Sequence, residues 1–145
     1  MEPRHQIEYL QEEHEELLNL AGRMEKLLES ASKNEFSEHV QSLTGLRSLE
    51  HRLNGVVEHC HAGDRLVESI DLSNLLPEER ALIQAEHERI IRAVENFREE
   101  LKCATTDRTM AMILPGMDVV KWLRAHVADE RELFGGVAQQ DRISH

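Results

Sequence analysis

Histidine and glutamate are the residues whose types and spacing could do chemistry in this chain. His126 is followed one helical turn later by Glu130, a His-x-x-x-Glu pair, and His87 stands in the segment before it. Residues four apart on a helix lie one above the other on a single face, so this pair presents an imidazole and a carboxylate to one metal-sized space. The first half of the chain repeats the arrangement with one change. His14 is followed in the next segment by His59, and Gly63 stands where the second glutamate would be. Two histidine–carboxylate pairs, each joined by a lone histidine from a neighbouring helix, describe a carboxylate-bridged two-metal site inside a four-helix bundle.

The elements that must position these residues are legible as apolar stripes at helical spacing. Ile7, Leu10, Leu17, Ala21, Met24 and Leu28 form the first, with His14 in the slot between Leu10 and Leu17. Leu43, Leu46, Leu49, Leu53, Val56, Val57, Leu66, Val67 and Ile70 form the second. In the third, Ile83, Ile90, Val94, Phe97 and Leu101 flank His87, and Pro77 with Glu78 and Glu79 suits a helix start. In the fourth, Val119, Trp122, Leu123, Leu133 and Phe134 flank His126 and Glu130. Pro115-Gly116 interrupts Met110–Leu114, which reads as a short extra turn or as the first part of a kinked helix. Gly135-Gly136 reads as a stop. The expectation is an all-α, up-down-up-down antiparallel four-helix bundle in one domain over 1–145. Its helices cover roughly 4–32, 38–72, 77–104 and 108–134, with a loose tail at 135–145.

Nine histidines are present, so position has to separate them. A single histidine on an apolar stripe is more often a hydrogen-bonded core residue than a ligand. Three at similar depth, with Glu130 one turn after one of them, are harder to explain that way, because a buried carboxylate needs a strong partner. In the second segment His59 shares its stripe with Val56, Gly63, Leu66 and Ile70 and faces inward. His61 and His51 fall on polar faces, and His5, His39 and His145 lie at or near ends and links, where a surface role is the default. Mixed imidazole and carboxylate donors suit iron, manganese or zinc better than calcium or magnesium, and the paired arrangement points to iron first.

Composition removes several classes. The net charge of −11 disfavours a nucleic-acid or anionic-membrane partner, and no apolar run reaches the length of a membrane span. The two cysteines, Cys60 and Cys103, do not make a disulfide scaffold, and the first residues lack a secretory pattern, so a soluble cytoplasmic protein is expected.

These residues resemble the hemerythrin-like family, in its HHE cation-binding branch. The matching pieces are Glu13-His14-Glu15, Glu58-His59 with Asp64-Arg65-Leu66-Val67, Glu86-His87-Glu88-Arg89-Ile90, and Trp122 with His126 and Glu130. Together they cover about residues 4 to 135. The resemblance implies an up-down bundle around a non-haem di-iron centre, with His14, His59, His87, His126 and Glu130 at ligand positions. Ile83 and Ile91 occupy the places one turn from His87 where oxygen-carrying members have a further histidine. The resemblance therefore points to the branch that includes iron- and oxygen-sensing modules and proteins of iron–sulfur repair.

Gly63 leaves three arrangements open. Asp64, one residue on, could supply a shorter carboxylate; water, hydroxide or a small ligand could take the position; or a single metal could remain. The expected function is binding or sensing of iron, oxygen or nitric oxide, with metal ions and a small diatomic molecule as partners and a homodimer left open. The alternatives are a di-iron oxidase or iron–sulfur repair enzyme, and a metal-free helical interaction module. No acid or base outside the ligand set is apparent, so an enzyme is the lesser expectation.

Overall fold

A computed structural model describes the backbone of residues 3–33, 35–69 and 76–143, and the side chains of residues 12–33, 35–62 and 76–132. Five helices account for the regular structure: α1 (Pro3–Ser32), α2 (Phe36–Ser48), α3 (Glu50–Ser69), α4 (Pro77–Cys103) and α5 (Met110–Ile143). Among the described residues the one extended pairing is an isolated bridge, Thr105 to Arg108, in the tight link between α4 and α5. None of the described helices is long and apolar enough to cross a membrane.

The single helix expected over 38–72 is two. Leu49 separates α2 from α3, with its N–H bonded to the Leu46 carbonyl at 3.1 Å and its own carbonyl accepting from the Arg52 N–H at 2.9 Å. These i to i+3 bonds tighten the chain locally without turning it out of the right-handed helical region, where Leu49 sits at φ −89 and ψ −5. The Ser48 hydroxyl donates to the Gly45 carbonyl at 2.6 Å, a local side-chain bond that competes with the regular ladder.

The start of α4 follows its sequence signals. Pro77 opens the first turn, and the Glu79 carboxylate accepts from the Leu76 N–H at 3.2 Å. At the other end of α4, Arg47 donates to the Ala104 carbonyl at 2.7 Å. Two further side chains tie the last turns of α1: Ser42 donates to the Leu27 carbonyl at 2.6 Å, and Thr109 to the Ala31 carbonyl at 3.3 Å. His39, expected at the surface, lies against the carbonyls of Thr106 and Lys33 and so links two connections.

At its start helix α5 follows one of the two expected readings, and at its far end it departs from expectation. Met110–Leu114 is its first part, and Pro115 sits inside it, where its missing N–H removes one ladder bond. The helix also continues through Gly135-Gly136 to Ile143, where a stop and a loose tail were expected. Glycine weakens a helix interior by roughly 1 kcal/mol without forbidding it, and the flanking residues here are helix formers.

Contacts tie α1 to α2, α3 and α5, and α4 to α3 and α5. Along α1 and α5 the partners run in opposite order: His14 meets Glu130, Glu25 meets Arg124, and Ala31 meets Thr109. The core between the helices is built from Leu20, Met24, Leu28, Leu46, Leu53, Ile90, Val94 and Phe97, all almost wholly buried. All but Leu20 stand on the stripes that the sequence displays.

Gly116 shows how tightly the helices approach. A Cβ placed there would stand 2.8 Å from both Leu28 Cδ atoms and 3.1 Å from Phe97 Cε1. Leu28 and Phe97 are each 1% exposed, so an added side chain would have to displace them within the core. Gly116→Val is therefore expected to lower stability by about 1–3 kcal/mol through overpacking, despite valine's better helix propensity. Urea denaturation checks this, and an unchanged midpoint would contradict the close approach of α1, α4 and α5.

Candidate metal centre

Four helices deliver one histidine each to a single buried point. His14 comes from α1, His59 from α3, His87 from α4 and His126 from α5, and Glu130 stands one turn after His126. None of the five is more than 1% exposed. Their apolar neighbours along each stripe, such as Leu17, Val56, Ile90 and Val127, pack into the core and so force the polar residue in the same register to face inward.

All four imidazoles turn Nε2 toward the Glu130 carboxylate. Oε1 lies 2.8 Å from His14, 3.0 Å from His59 and 2.8 Å from His126, while Oε2 lies 3.3 Å from His87. The rings stand edge to face, with centroids 5.2 Å apart for His14 and His59 and 4.6 Å apart for His87 and His126. His87 and His126 also bring their Nε2 atoms within 3.2 Å of each other.

These contacts exceed what protons alone can satisfy well. A carboxylate oxygen offers two lone-pair directions, and Oε1 is faced by three nitrogens. Two Nε2 atoms in contact require one of them to donate to the other. The five donors divide into two groups, His14–His59–Glu130 and His87–His126–Glu130, and within each the ligand atoms lie within 4.8 Å of one another. The cluster could hold a metal ion, with Glu130 common to both groups. Two imidazoles and one carboxylate per group form a donor set suited to first-row transition metals.

Electrostatics in the metal-free chain are governed by Glu130. Burial pushes its pKa up, but hydrogen bonds from His126, His14, His59 and His87 hold it well below the ordinary glutamate value. Burial pushes His59 down, yet the carboxylates of Glu13 and Glu130 overcome this and raise it to about 9. His126 is raised as well, against burial, by Glu130 and Glu86.

Three carboxylates that the sequence reading left without a role lie just outside the cluster. Glu13 Oε1 is 3.4 Å from His59 Nδ1, and Glu86 Oε2 is 3.5 Å from His126 Nδ1. Interaction with the Glu86 carboxylate, aided by partial burial, pushes Asp129 up to about 6. The signal that could have found Glu13 and Glu86 is their place immediately before His14 and His87, in matching order in both halves.

The structure thus brings together His14, His59, His87, His126 and Glu130. Asp64 and Gly63 lie in α3, but their side chains fall outside the described residues. His51 and His61 are exposed, on the polar faces where they were expected. Comparison with protein-family models, curated proteins and solved structures finds no match to this chain.

One pH dependence follows for the metal-free protein. A histidine whose folded pKa is raised stabilises the fold below its unfolded value, and that contribution is lost as the pH climbs through the folded value. With His59 moved from 6.5 to about 9, the metal-free chain should lose stability between those limits. Denaturation midpoints measured in chelator at pH 6, 7.5 and 9 check this, and a midpoint rising with pH would contradict it.

Proposed function

We propose that this chain is a hemerythrin-like protein of the HHE kind, an up-down-up-down antiparallel four-helix bundle that binds non-haem iron and through it binds or senses oxygen or nitric oxide. In this reading α2 and α3 together make the second helix of the bundle. The opposite order of partners along α1 and α5 supports the arrangement, as do the contacts of His87 with His126 and of Asn54 with Arg98 between the other neighbours.

One observation carries the metal reading: a single wholly buried carboxylate shared by two histidine pairs. His14 and His59 would hold one cation, His87 and His126 a second, and Glu130 would serve both. Iron bound by two imidazoles and a carboxylate supplies open coordination positions and reversible redox chemistry. The chain's own residues supply the rest. The apolar stripes keep bulk water from the cluster, Glu130 holds its negative charge at neutral pH, and the surrounding imidazoles fix its two oxygens. Hemerythrin-like identity rests on the motif order and on this constellation.

Anaerobic reconstitution with ferrous iron, followed by metal analysis, tests the proposal. At least one iron per chain should remain after desalting. Glu130→Ala should remove it entirely, because the residue serves both groups, whereas His126→Ala should spare the His14–His59 half. Gly63→Glu should raise the iron content if the wild type holds only one. Nitric oxide added to the ferrous protein should change its visible absorption. Iron well below one equivalent, unaffected by Glu130→Ala, would overturn the reading in favour of a metal-free helical module.

A further inference from the structure

A Glu-His dipeptide stands at the centre in α1, α3 and α4: Glu58, before His59, is exposed, whereas Glu13 before His14 and Glu86 before His87 turn toward neighbouring helices. Neighbouring residues on a helix point about 100° apart, so when the histidine faces the cluster the glutamate before it faces the flank. On each flank stands the histidine of an adjacent helix. Glu13 reaches the Nδ1 edge of His59 on α3, and Glu86 the Nδ1 edge of His126 on α5.

We propose that Glu13 and Glu86 are positioning residues for cations held in this cluster, each fixing the imidazole contributed by the neighbouring helix, so that Glu13-His14 and Glu86-His87 act as crossed clasps. This rests on the metal reading above and adds to it the groups that set ligand orientation. A cation takes the lone pair of Nε2, so the ring proton must sit on Nδ1. A carboxylate at Nδ1 selects that tautomer, holds the ring plane and makes Nε2 a stronger donor.

The contacts, at 3.4 and 3.5 Å, are a few tenths of an ångström longer than an ordinary hydrogen bond. Accordingly Glu13 Oε1, His59 Nδ1 and His126 Nδ1 are buried without hydrogen-bond partners. A small ring rotation closes each pair. A carboxylate only 7% exposed, as Glu86 is, needs such a partner to offset its lost hydration.

The two clasps are not equal. The Glu86 side chain is 9% exposed, whereas that of Glu13 is 24% exposed at the edge of a cleft of about 130 Å³ that Arg52 and Gly55 also line. Water from that cleft can take over part of Glu13's task. The His87–His126 half therefore depends more strongly on its clasp than the His14–His59 half does.

Titration with cobalt(II), followed by its visible bands, tests the proposal in wild type, Glu13→Gln, Glu86→Gln and the control Glu88→Gln. Glu88 flanks His87 on its other side and is largely exposed, beside Arg92, so its substitution removes the same charge without touching a ligand. Glu13→Gln and Glu86→Gln should each weaken one cobalt by about 10–100-fold and alter its bands, the latter more strongly, while Glu88→Gln binds as wild type does. Should Glu86→Gln fail to fold, Glu13→Gln, at the cleft edge, carries the comparison. Wild-type binding in both clasp variants would overturn the clasps alone, as would an equal loss in Glu88→Gln, which would reduce the effect to net charge. A wild type that takes up no cobalt would overturn the metal reading and the clasps together.

Discussion

The structure turns on one buried carboxylate. Glu130 stands at the meeting point of four helices, and its charge would be untenable there without the four imidazoles that face it. Each of those imidazoles in turn is tolerated at full burial because Glu130 answers it. The dependence is mutual, and it fixes the rotation of every contributing helix about its own axis. A helix turned by one residue would send its histidine out of the cluster and an apolar neighbour into it.

The two ends of the molecule then have different tasks. Around Leu28, Phe97 and Gly116 the helices meet through apolar side chains at the closest approach that van der Waals contact permits. Around Glu130 they meet through polar atoms whose preferred partners are protons or cations. Packing at the first end holds the helices in register, and that register brings the donors of the second end within reach of one another. Surface pairs such as Arg124 with Glu25 and Arg131 with Glu15 join α1 to α5 along the outside, where solvent leaves them little weight.

How much of this was legible in the sequence depended on whether the signal was local. His14, His87 and His126 showed themselves by taking leucine slots in apolar stripes, Glu130 by its spacing from His126, and His59 by sharing a face with Val56 while His61 did not. The break at Leu49 left no mark, because a turn of i to i+3 bonds needs neither proline nor glycine. Gly135-Gly136 gave a mark that misled, since a helix long enough can absorb a pair of weak residues, while Pro115 left a short turn and a helix start both open. Glu13 and Glu86 were visible as letters in a motif, but their partners lie on other helices, and no periodicity within one helix reports a contact between two.

The most direct measurement is an anomalous difference map from crystals grown anaerobically with ferrous iron, recorded on either side of the iron absorption edge. The account predicts density at the carboxylate of Glu130, within bonding distance of the Nε2 atoms of at least one histidine pair. A map with no peak among these five side chains, or with iron only on the acidic surface, would contradict it.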